Sequence, residues 1–384
     1  MKIGAIISEY NPFHNGHKYH IEQTRAAGVT HIAAVMSGNF TQRGDAAIYD
    51  KHVRARTALE NGVDLVLELP ARYSLMSAEG FARGAVEIIS ALGCVDVLSF
   101  GSESGDIEAL KEASRAIEFT MRTEEFDKLI KRGKSYPAAL QEAMLEYYTD
   151  DVAELVGSPN NTLAIEYLSA LDNIASSIAP MTVKRLGAAH DSDDEGEFIS
   201  ASAIRKRILA GKNCSEFAPA VSAPTADISR LDRAILAKLR TLHPEDFSRC
   251  YDSIGGLGDR LYKAVRGARS LSEVYFLTKT KRYTLSSIRR AVMCAFLGIN
   301  KDFAVEKPAY LRVLGMNSHG KEILSAANCS VPIDTSLKAL SRTSREAARQ
   351  ANFEARCTDI YSLAFAEPRP CGVDFTAAPV IIND

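Results

Sequence analysis

The chain has 384 residues, a mass of 41.8 kDa and a formal net charge of −2 at pH 7. This length allows two domains, each with its own core. Apolar residues make up 46% of the sequence and charged residues 24%, the composition of a soluble globular protein. Every apolar run is shorter than a membrane span, and the first is too short for a signal peptide, so we expect a cytoplasmic protein that binds no membrane.

The seven cysteines stand singly, without a C-x-x-C pair. An odd number without ligand spacing argues against a disulfide framework and a structural zinc site. We therefore expect reduced thiols and name no residue as a metal ligand. Because the net charge is close to zero, a nucleic-acid partner would need a local basic patch.

Short apolar runs alternate with helical patterns over the first 212 residues. Runs rich in Ile, Val and Leu predict buried strands at residues 3–7, 32–36, 65–69, 95–100 and 178–183. Helical periodicity lies between them, at residues 17–27, 52–61 and 77–92. This alternation predicts an α/β fold with a Rossmann-like parallel sheet and right-handed crossovers.

The rest of the chain is mainly helical. A helical insertion is predicted at about residues 106–148, with its last helix starting at Tyr136. Residues 213–226 hold two prolines and few large apolar residues, so we place a domain boundary there. The expected domains are residues 1–212 and a mainly helical region, residues 213–384, that ends in a small mixed α/β segment. Within the latter, residues 227–300 look wholly helical and Tyr310–Leu314 is strand-like.

Polar segments follow the predicted strands at one sheet edge, where parallel sheets bind ligands. The first is His14-Asn15-Gly16-His17, between a strand and a helix. Imidazoles three residues apart lie on one side of a helical turn, and Gly16 allows close approach of a phosphate. Free N–H groups and the helix dipole add affinity for an anion. We expect neutral or cationic His14 and His17 to stabilise the α-phosphate of ATP during in-line attack. The alternative is a pair of surface histidines.

A second candidate segment is Ser200 to Arg205, which opens a later helix. Ser200 alone is equally well explained as a helix cap. Arg205 lies one turn further on, where it is expected to reach the β- and γ-phosphates and to neutralise the leaving pyrophosphate. We take Ser202 and Arg205 as catalytic together with the two histidines. The acidic loop before them, residues 187–197, is expected to act as a lid that orders when ATP binds.

These motifs resemble known families. H-x-G-H after the first strand, with I-S-x-S-x-x-R at a helix start, resembles the nucleotidyltransferase superfamily, whose fold is HUP-like. A closer likeness over nearly the whole chain is to the tRNA(Met) cytidine acetate ligases, through residues 9–17 (EYNPFHNGH), 36–44, 158–161, 280–284 and 310–316. One departure is Ala201, which stands where the I-S-S/T pattern commonly has a hydroxyl.

The resemblance implies a two-step reaction. Acetate attacks the α-phosphate of ATP, which gives acetyl-adenylate and pyrophosphate. The exocyclic amine of the wobble cytidine in elongator tRNA(Met) then takes the acetyl group, which leaves N4-acetylcytidine and AMP. The implied ligands are ATP carrying Mg²⁺, acetate and the tRNA anticodon loop; no protein partner is expected.

The resemblance also places the ATP site. Its expected residues surround the first strand end or follow later strands, namely Ile7, Ser8, Glu9, Tyr10, Asn11, Pro12, Phe13, His14, Asn15, Gly16, His17, Lys18, Tyr19, His20, Gly101, Asn160, Arg185 and Leu186. Gly101 permits close approach of adenosine, and backbone groups at Leu186 can pair with the adenine edge. Asn160 either holds the ribose or base, or caps the helix that follows it.

A basic segment lies between residues 260 and 290, where nine cations are opposed by Glu273 alone. Such bias favours a phosphate-binding surface, although an ordinary basic helix surface is the alternative. The expected RNA-binding residues are Lys279, Lys281, Arg282, Tyr283, Arg289 and Arg290, with Tyr283 stacking on an unpaired base.

Two other functions fit parts of the chain. A small-molecule adenylyltransferase, of the pantetheine-phosphate or nicotinate-mononucleotide type, explains the first half but not the basic helical region. A nucleotide-sensing RNA-binding protein without catalysis explains the second half, but the paired motifs around His17 and Arg205 count against it.

Overall fold

A large sheet forms the centre of the protein. The computed structural model describes residues 1–186, 199–251, 253 and 255–383. The loop predicted as a lid, residues 187–197, lies outside the described residues. The described strands are β1 (Ile3–Ser8), β2 (His31–Ser37), β3 (Phe40–Thr41), β4 (Asp45–Ala46), β5 (Leu65–Leu69), β6 (Val97–Ser102), β7 (Ala179–Lys184), β8 (Leu311–Met316), β9 (Ile333–Asp334) and β10 (Val380–Ile381).

The strand order of the main sheet is β10-β8-β5-β2-β1-β6-β7, with β9 beside β8. β5, β2, β1, β6 and β7 are parallel to their neighbours in this series, which confirms the predicted parallel α/β sheet. All five predicted strands occur within about two residues of their expected bounds. β2 and β5 are buried along their whole length, as strands covered on both faces must be. β3 and β4 form a separate antiparallel hairpin.

Helices cover both faces of this sheet and fill the second half of the chain. The described α-helices are α1 (Asn15–Ala26), α2 (Lys51–Glu60), α3 (Ala71–Ser74), α4 (Ala78–Leu92), α5 (Ile107–Thr120), α6 (Glu124–Lys131), α7 (Tyr136–Met144), α8 (Asp150–Gly157), α9 (Pro159–Asn173), α10 (Ala201–Leu209), α11 (Asp232–Thr241), α12 (Pro244–Arg249), α13 (Leu257–Gly267), α14 (Leu271–Thr278), α15 (Leu285–Leu297), α16 (Lys301–Val305), α17 (Ser318–Ala326), α18 (Leu337–Leu340), α19 (Arg345–Ser362) and α20 (Val373–Thr376).

The predicted helical segments occur where the sequence placed them. The insertion consists of α5, α6 and α7, and α7 begins at Tyr136 as expected. Helix α9 packs against α4 and α5, which joins the insertion to one face of the sheet. Helices α11 to α15, after a 3₁₀ turn at Ile228–Leu231, fill the stretch predicted to be wholly helical. None of the described helices is both long and apolar enough to cross a membrane.

The strand-like run near residue 310 corrects one expectation. The sequence predicts a small mixed segment of the second region here, but the run forms β8, which pairs antiparallel with β5. β10 then extends the sheet beyond β8. The physical reason is that β5 is wholly buried, so its outer edge needs a hydrogen-bonding partner. The division of the chain at residue 213 stays a prediction, but the last part of the chain completes the first region's sheet.

A buried ionic network joins this last part of the chain to the sheet. Lys51 Nζ lies 2.6 Å from Glu68 Oε1 and 2.8 Å from Asp374 Oδ2. Arg312 Nη1 lies 3.1 Å from Glu68 Oε2 and 2.7 Å from Asp374 Oδ1. Burial alone would raise the pKa of Asp374, but the two cations hold it well below its usual value. Because each carboxylate meets both cations, the four buried charges satisfy one another.

Candidate active site

The two histidines of the H-x-G-H segment cap helix α1. His14 has extended backbone angles (φ −149°, ψ 172°), and its Nδ1 accepts the N–H of Gly16 at 3.1 Å. In return, Nδ1 of His17 accepts the N–H of His14 at 3.2 Å. The two rings stack with their centroids 3.8 Å apart. Since both Nδ1 atoms accept hydrogen bonds, a neutral ring carries its hydrogen on Nε2, so each imidazole offers an Nε2–H to a ligand.

The surroundings keep these rings neutral at pH 7. Burial, together with the positive charges of the nearby Arg185 and Arg205, lowers the pKa of His14 to about 3. Burial also holds the pKa of His17 well below its usual value, and it lowers that of His20 to about 4. The sequence left neutral and cationic donors equally open. The structure favours neutral ones because desolvation and neighbouring cations both disfavour the imidazolium.

The backbone N–H groups at the start of α1 are not free to bind a phosphate, although the sequence predicts that they are. The N–H of Asn15 donates to the carbonyl of Phe217 at 2.9 Å, and that of Gly16 is taken by His14. The side chain of Asn15 also donates to the carbonyl of Glu216 at 2.8 Å. The loop after α10 therefore docks on the start of α1. Any anion at this point is met mainly by the ring Nε2–H groups.

Helix α10 brings Arg205 to the same place. Arg205 Nη1 donates to the carbonyl of Asn11 at 2.8 Å, and its Nη2 donates to Oγ of Ser202 at 3.1 Å. Oγ of Ser200 accepts the N–H of Ala203 at 3.2 Å, so the capping explanation for Ser200 is correct. The structure thus joins the two predicted catalytic segments, which lie about 190 residues apart, through one guanidinium group.

Arg54, which holds two strand ends of the catalytic edge together, was not predicted from the sequence. Arg54 of α2 is 1% exposed, and its guanidinium donates to the carbonyls of Glu9 at 2.6 Å and Ser37 at 3.0 Å. It also donates to Gly38 and Tyr49. These bonds hold the carboxyl ends of β1 and β2 together. The available signal was its helical position, four residues before the apolar Ala58, which places an arginine on a buried face.

The residues expected to bind adenosine gather at the ends of β6 and β7. The N–H of Arg185 donates to the carbonyl of Ser102 at 2.9 Å. Gly101 lies beside Arg185, and a Cβ on it would make an ordinary van der Waals contact of 3.4 Å with Cγ of Arg185. Nδ2 of Asn160 donates to Glu103 at 2.6 Å, whereas the N-cap of α9 is Ser158. The capping alternative for Asn160 is therefore wrong, and Leu186 lies beside this group with 48% of its surface exposed.

Some of the remaining residues expected around the first strand end support the histidines, and others lie at the protein surface. Tyr10 and Phe13 are buried, and their ring centroids lie 4.9 and 5.5 Å from that of His17. Both rings therefore pack against the His17 imidazole and hold it in place. Nε2 of His20 lies 2.9 Å from Oγ of Ser99 on β6. Lys18 is exposed, while Ile7, Ser8 and Tyr19 are partly buried. No cluster of three possible metal ligands occurs within the described ranges.

The predicted RNA-binding residues are only partly on one surface. Lys279, Lys281 and Arg282 are exposed on the turn after α14. Tyr283 is partly buried and donates its hydroxyl to the carbonyl of Gly255. Arg289 lies with its guanidinium carbon 5.6 Å from the centre of the Tyr275 ring.

Arg290 departs from that prediction. It is 7% exposed, because α15 packs closely on the β3–β4 hairpin. A Cβ on Gly44, which has a φ of +72°, would lie 2.6 Å from the carbonyl carbon of Arg289. Arg290 therefore belongs to the junction with the catalytic edge and not to the exposed surface.

An exposed aromatic side chain beside this surface was also missed. Phe276 of α14 is 80% exposed. The next residue, Leu277, has a carbonyl that accepts a bond from Arg260 at 2.9 Å. Arg260 lines a cavity of about 390 Å³ together with Gly255, Gly256, Asp259, Lys263, Thr280, Arg282 and Tyr283. The sequence signal was the apolar pair Phe276-Leu277 directly before the cationic turn.

Comparisons with known proteins show the family of this chain. A family model described as HIGH Nucleotidyl Transferase matches residues 1–372. The tRNA(Met) cytidine acetate ligase of Fervidobacterium nodosum is 39% identical over 361 residues, covering 87% of this chain and 83% of that protein. The corresponding ligase of Acetivibrio thermocellus is 34% identical, with both chains fully covered. The crystal structure of Thermotoga maritima TmcAL bound with alpha-thio ATP superposes with a TM-score of 0.90 at 31% identity, again over both whole chains. The chain therefore belongs to the HIGH nucleotidyl transferase family and, within it, to the tRNA(Met) cytidine acetate ligases.

Proposed function

We propose that this protein activates acetate with ATP and transfers the acetyl group to N4 of the wobble cytidine of elongator tRNA(Met). The observation that carries the proposal is the pair of neutral imidazoles joined through the Asn11 loop to Arg205, in a chain that matches these ligases along its length. ATP and tRNA place this reaction in the cytoplasm. The small-molecule adenylyltransferase is set aside because the full-length relatives are ligases.

In the first step, acetate attacks the α-phosphate of ATP. His14 and His17 donate from Nε2 to the α-phosphate oxygens, whose negative charge grows in the transition state. Neutral rings suit this task, since they keep their protons throughout. Arg205 meets the β- and γ-phosphates and stabilises the departing pyrophosphate, and Ser202 orients its guanidinium. Mg²⁺ arrives with ATP.

The adenosine end of ATP extends toward β6 and β7. Gly101 leaves room for the sugar and base, and Leu186 offers its backbone to the adenine edge. Asn160 reaches the ribose from α9, with its amide oriented by Glu103. This group and the histidines lie on adjacent strands, β6 and β1, and Arg185 is near enough to His14 to lower its pKa.

In the second step, the cytidine amine attacks the carbonyl carbon of acetyl-adenylate. The anticodon loop lies on Lys279, Lys281 and Arg282, which neutralise its phosphates. The exposed Phe276 is the stacking platform for an unpaired base, in place of the partly buried Tyr283. The contact between α15 and the β3–β4 hairpin connects this surface to the catalytic edge.

ATP–pyrophosphate exchange tests this function directly. Exchange of labelled pyrophosphate into ATP is expected only when acetate is present. Exchange driven by a phosphorylated cofactor precursor, or its absence with acetate, would overturn the proposal. Propionate is a useful competitor, because one extra methylene is worth only about 1–3 kcal/mol of discrimination.

A further inference from the structure

Glu9 is an acidic side chain at the centre of the catalytic edge. It directly follows β1, and Tyr10 beside it packs beneath His17, in the core on one face of the sheet. Oε1 of Glu9 accepts the N–H of Gln42 at 2.7 Å, and its carbonyl accepts a bond from Arg54 at 2.6 Å. Within the described residues, the carboxylate has no second hydrogen-bond donor. Both the backbone and one carboxylate oxygen are thus fixed, while Oε2 is left available.

Four groups from four different elements surround this carboxylate. Arg205 of α10, Arg43 of the β3–β4 turn and Arg54 of α2 act on it as positive charges. Tyr167 of α9 is near enough for the negative charge of Glu9 to add to burial in raising the pKa of its hydroxyl. Burial raises the pKa of Glu9, and the Gln42 N–H and the three arginines only partly oppose this. A carboxylate in such a place holds a proton more readily than one in water.

The second step of the proposed reaction, on which this inference rests, requires a proton acceptor. When the N4–C bond to the acetyl group forms and the C–O bond to AMP breaks, the amine nitrogen must lose one proton. His14 and His17 are unsuited to accept it, because Nδ1 of each is occupied and Nε2 already carries hydrogen. The first step has no such need, since acetate attacks as an anion.

We propose that Glu9 is the general base that accepts the N4 proton of cytidine during acetyl transfer. Glu9 lies on the same strand–loop–helix segment as the two histidines. The backbone of this one segment therefore positions both the imidazoles that hold the α-phosphate and the carboxylate that takes the proton. Asp45 is the competing carboxylate, and burial raises its pKa as well. Asp45 lies on the β3–β4 hairpin and not on the segment that carries the two histidines; its Oδ1 accepts the N–H of Ala46 at 2.9 Å, and Arg205 and Arg289 both act on it as positive charges.

The substitution Glu9→Gln separates the two steps. The amide oxygen can still accept the N–H of Gln42, but the side chain no longer takes a proton. We expect the single-turnover rate of acetyl transfer from acetyl-adenylate to tRNA to fall about 10²–10⁴-fold. Acetate-dependent pyrophosphate exchange should be affected much less, so that its fold-decrease is at least about 100 times smaller than the fold-decrease in transfer. The wild-type transfer rate should rise with pH as Glu9 loses its proton, and this rise should vanish in Glu9→Gln.

Asp45→Asn is the matched control, and its transfer rate and pH profile should stay near those of the wild type. The inference is overturned if Glu9→Gln transfers acetyl at the wild-type rate, or if exchange and transfer fall by the same factor. It is also overturned if Asp45→Asn, rather than Glu9→Gln, removes the pH dependence. Lack of acetate-dependent exchange in the wild type would instead contradict the proposed function, so failure of the proposed function can be told apart from failure of the Glu9 proposal.

Discussion

At the scale of single residues, the site depends on how two imidazoles are held. The spacing of His14 and His17 after a strand was enough to predict a phosphate site. Their tautomer and neutrality were not predictable, because they depend on burial and on Arg185 and Arg205, which are far away in sequence. The occupied N–H of Asn15 shows the same limit, since its acceptor at Phe217 lies about 200 residues further along.

The substitution His17→Ala tests the phosphate role. We expect acetate-dependent pyrophosphate exchange to fall about 10²–10³-fold, the usual effect of removing one donor from a developing oxyanion. Binding of tRNA, measured by fluorescence anisotropy, should stay nearly unchanged because the basic surface lies on α14 and the turn after it. Simultaneous loss of exchange and tRNA binding would leave the phosphate role of His17 unsupported.

The partly buried histidines of the site also predict a pH dependence of stability. His14 has a pKa of about 3 when folded and an ordinary value near 6.5 when unfolded. The unfolded chain therefore binds more protons between these values, so the free energy of unfolding falls as pH falls from about 6.5 toward 3.

His14→Asn isolates this effect, since asparagine is a good N-cap and can accept the Gly16 N–H. Urea unfolding should show a smaller stability loss between pH 7 and pH 5 in this variant, by on the order of 1 kcal/mol. Equal losses in the two proteins would mean that His14 is already protonated, or readily protonated, in the folded state.

At the scale of elements, α14 and the turn after it display the basic surface. Its exposed cations on the turn after α14 were predictable from charge bias alone. The burial of Arg290 was not, since it arises from the approach of Gly44 to the backbone of α15. Phe276 had a weak signal, because an apolar residue before a cationic turn is equally consistent with core packing.

Substitutions of two kinds, one aromatic and two cationic, separate stacking from charge on this surface. Phe276→Ala should weaken tRNA binding by about 1–3 kcal/mol without changing its salt dependence. Lys281→Ala or Arg282→Ala should weaken binding and lower the slope of log K against log salt by about 1.

Phe119→Ala is the control for the first of these, since this phenylalanine is 51% exposed but lies on the insertion helix α5. It should bind tRNA as the wild type does. If Phe276→Ala also binds normally, or if both cation variants keep the full salt slope, the RNA surface lies elsewhere.

At the scale of the whole molecule, the last part of the chain adds strands to the sheet that the first part forms. The strand-like pattern near residue 310 was visible in the sequence, but its pairing with β5 was not, because periodicity carries no information on strand order. The network of Lys51, Glu68, Arg312 and Asp374 explains why the pairing is specific. Lys51 and Glu68 pair with each other, but each gains its second buried partner only when β8 and α20 are in place.

Asp374→Ala tests this closure. Removal of one carboxylate leaves Lys51 and Arg312 short of a partner in the interior, so we expect a loss of about 3–5 kcal/mol in the free energy of unfolding. Glu118→Ala removes an exposed carboxylate on α5 and should change stability by no more than about 0.5 kcal/mol. A loss below about 1 kcal/mol in Asp374→Ala would contradict the role of the network.

The central claim is that this protein makes N4-acetylcytidine with the histidine pair and Arg205. Its most direct test is incubation of the protein with ATP, acetate and elongator tRNA(Met), followed by digestion and mass analysis of the nucleosides. We expect acetylcytidine that forms only with all three substrates and is lost in His17→Ala. Unmodified cytidine in the complete wild-type reaction would contradict it.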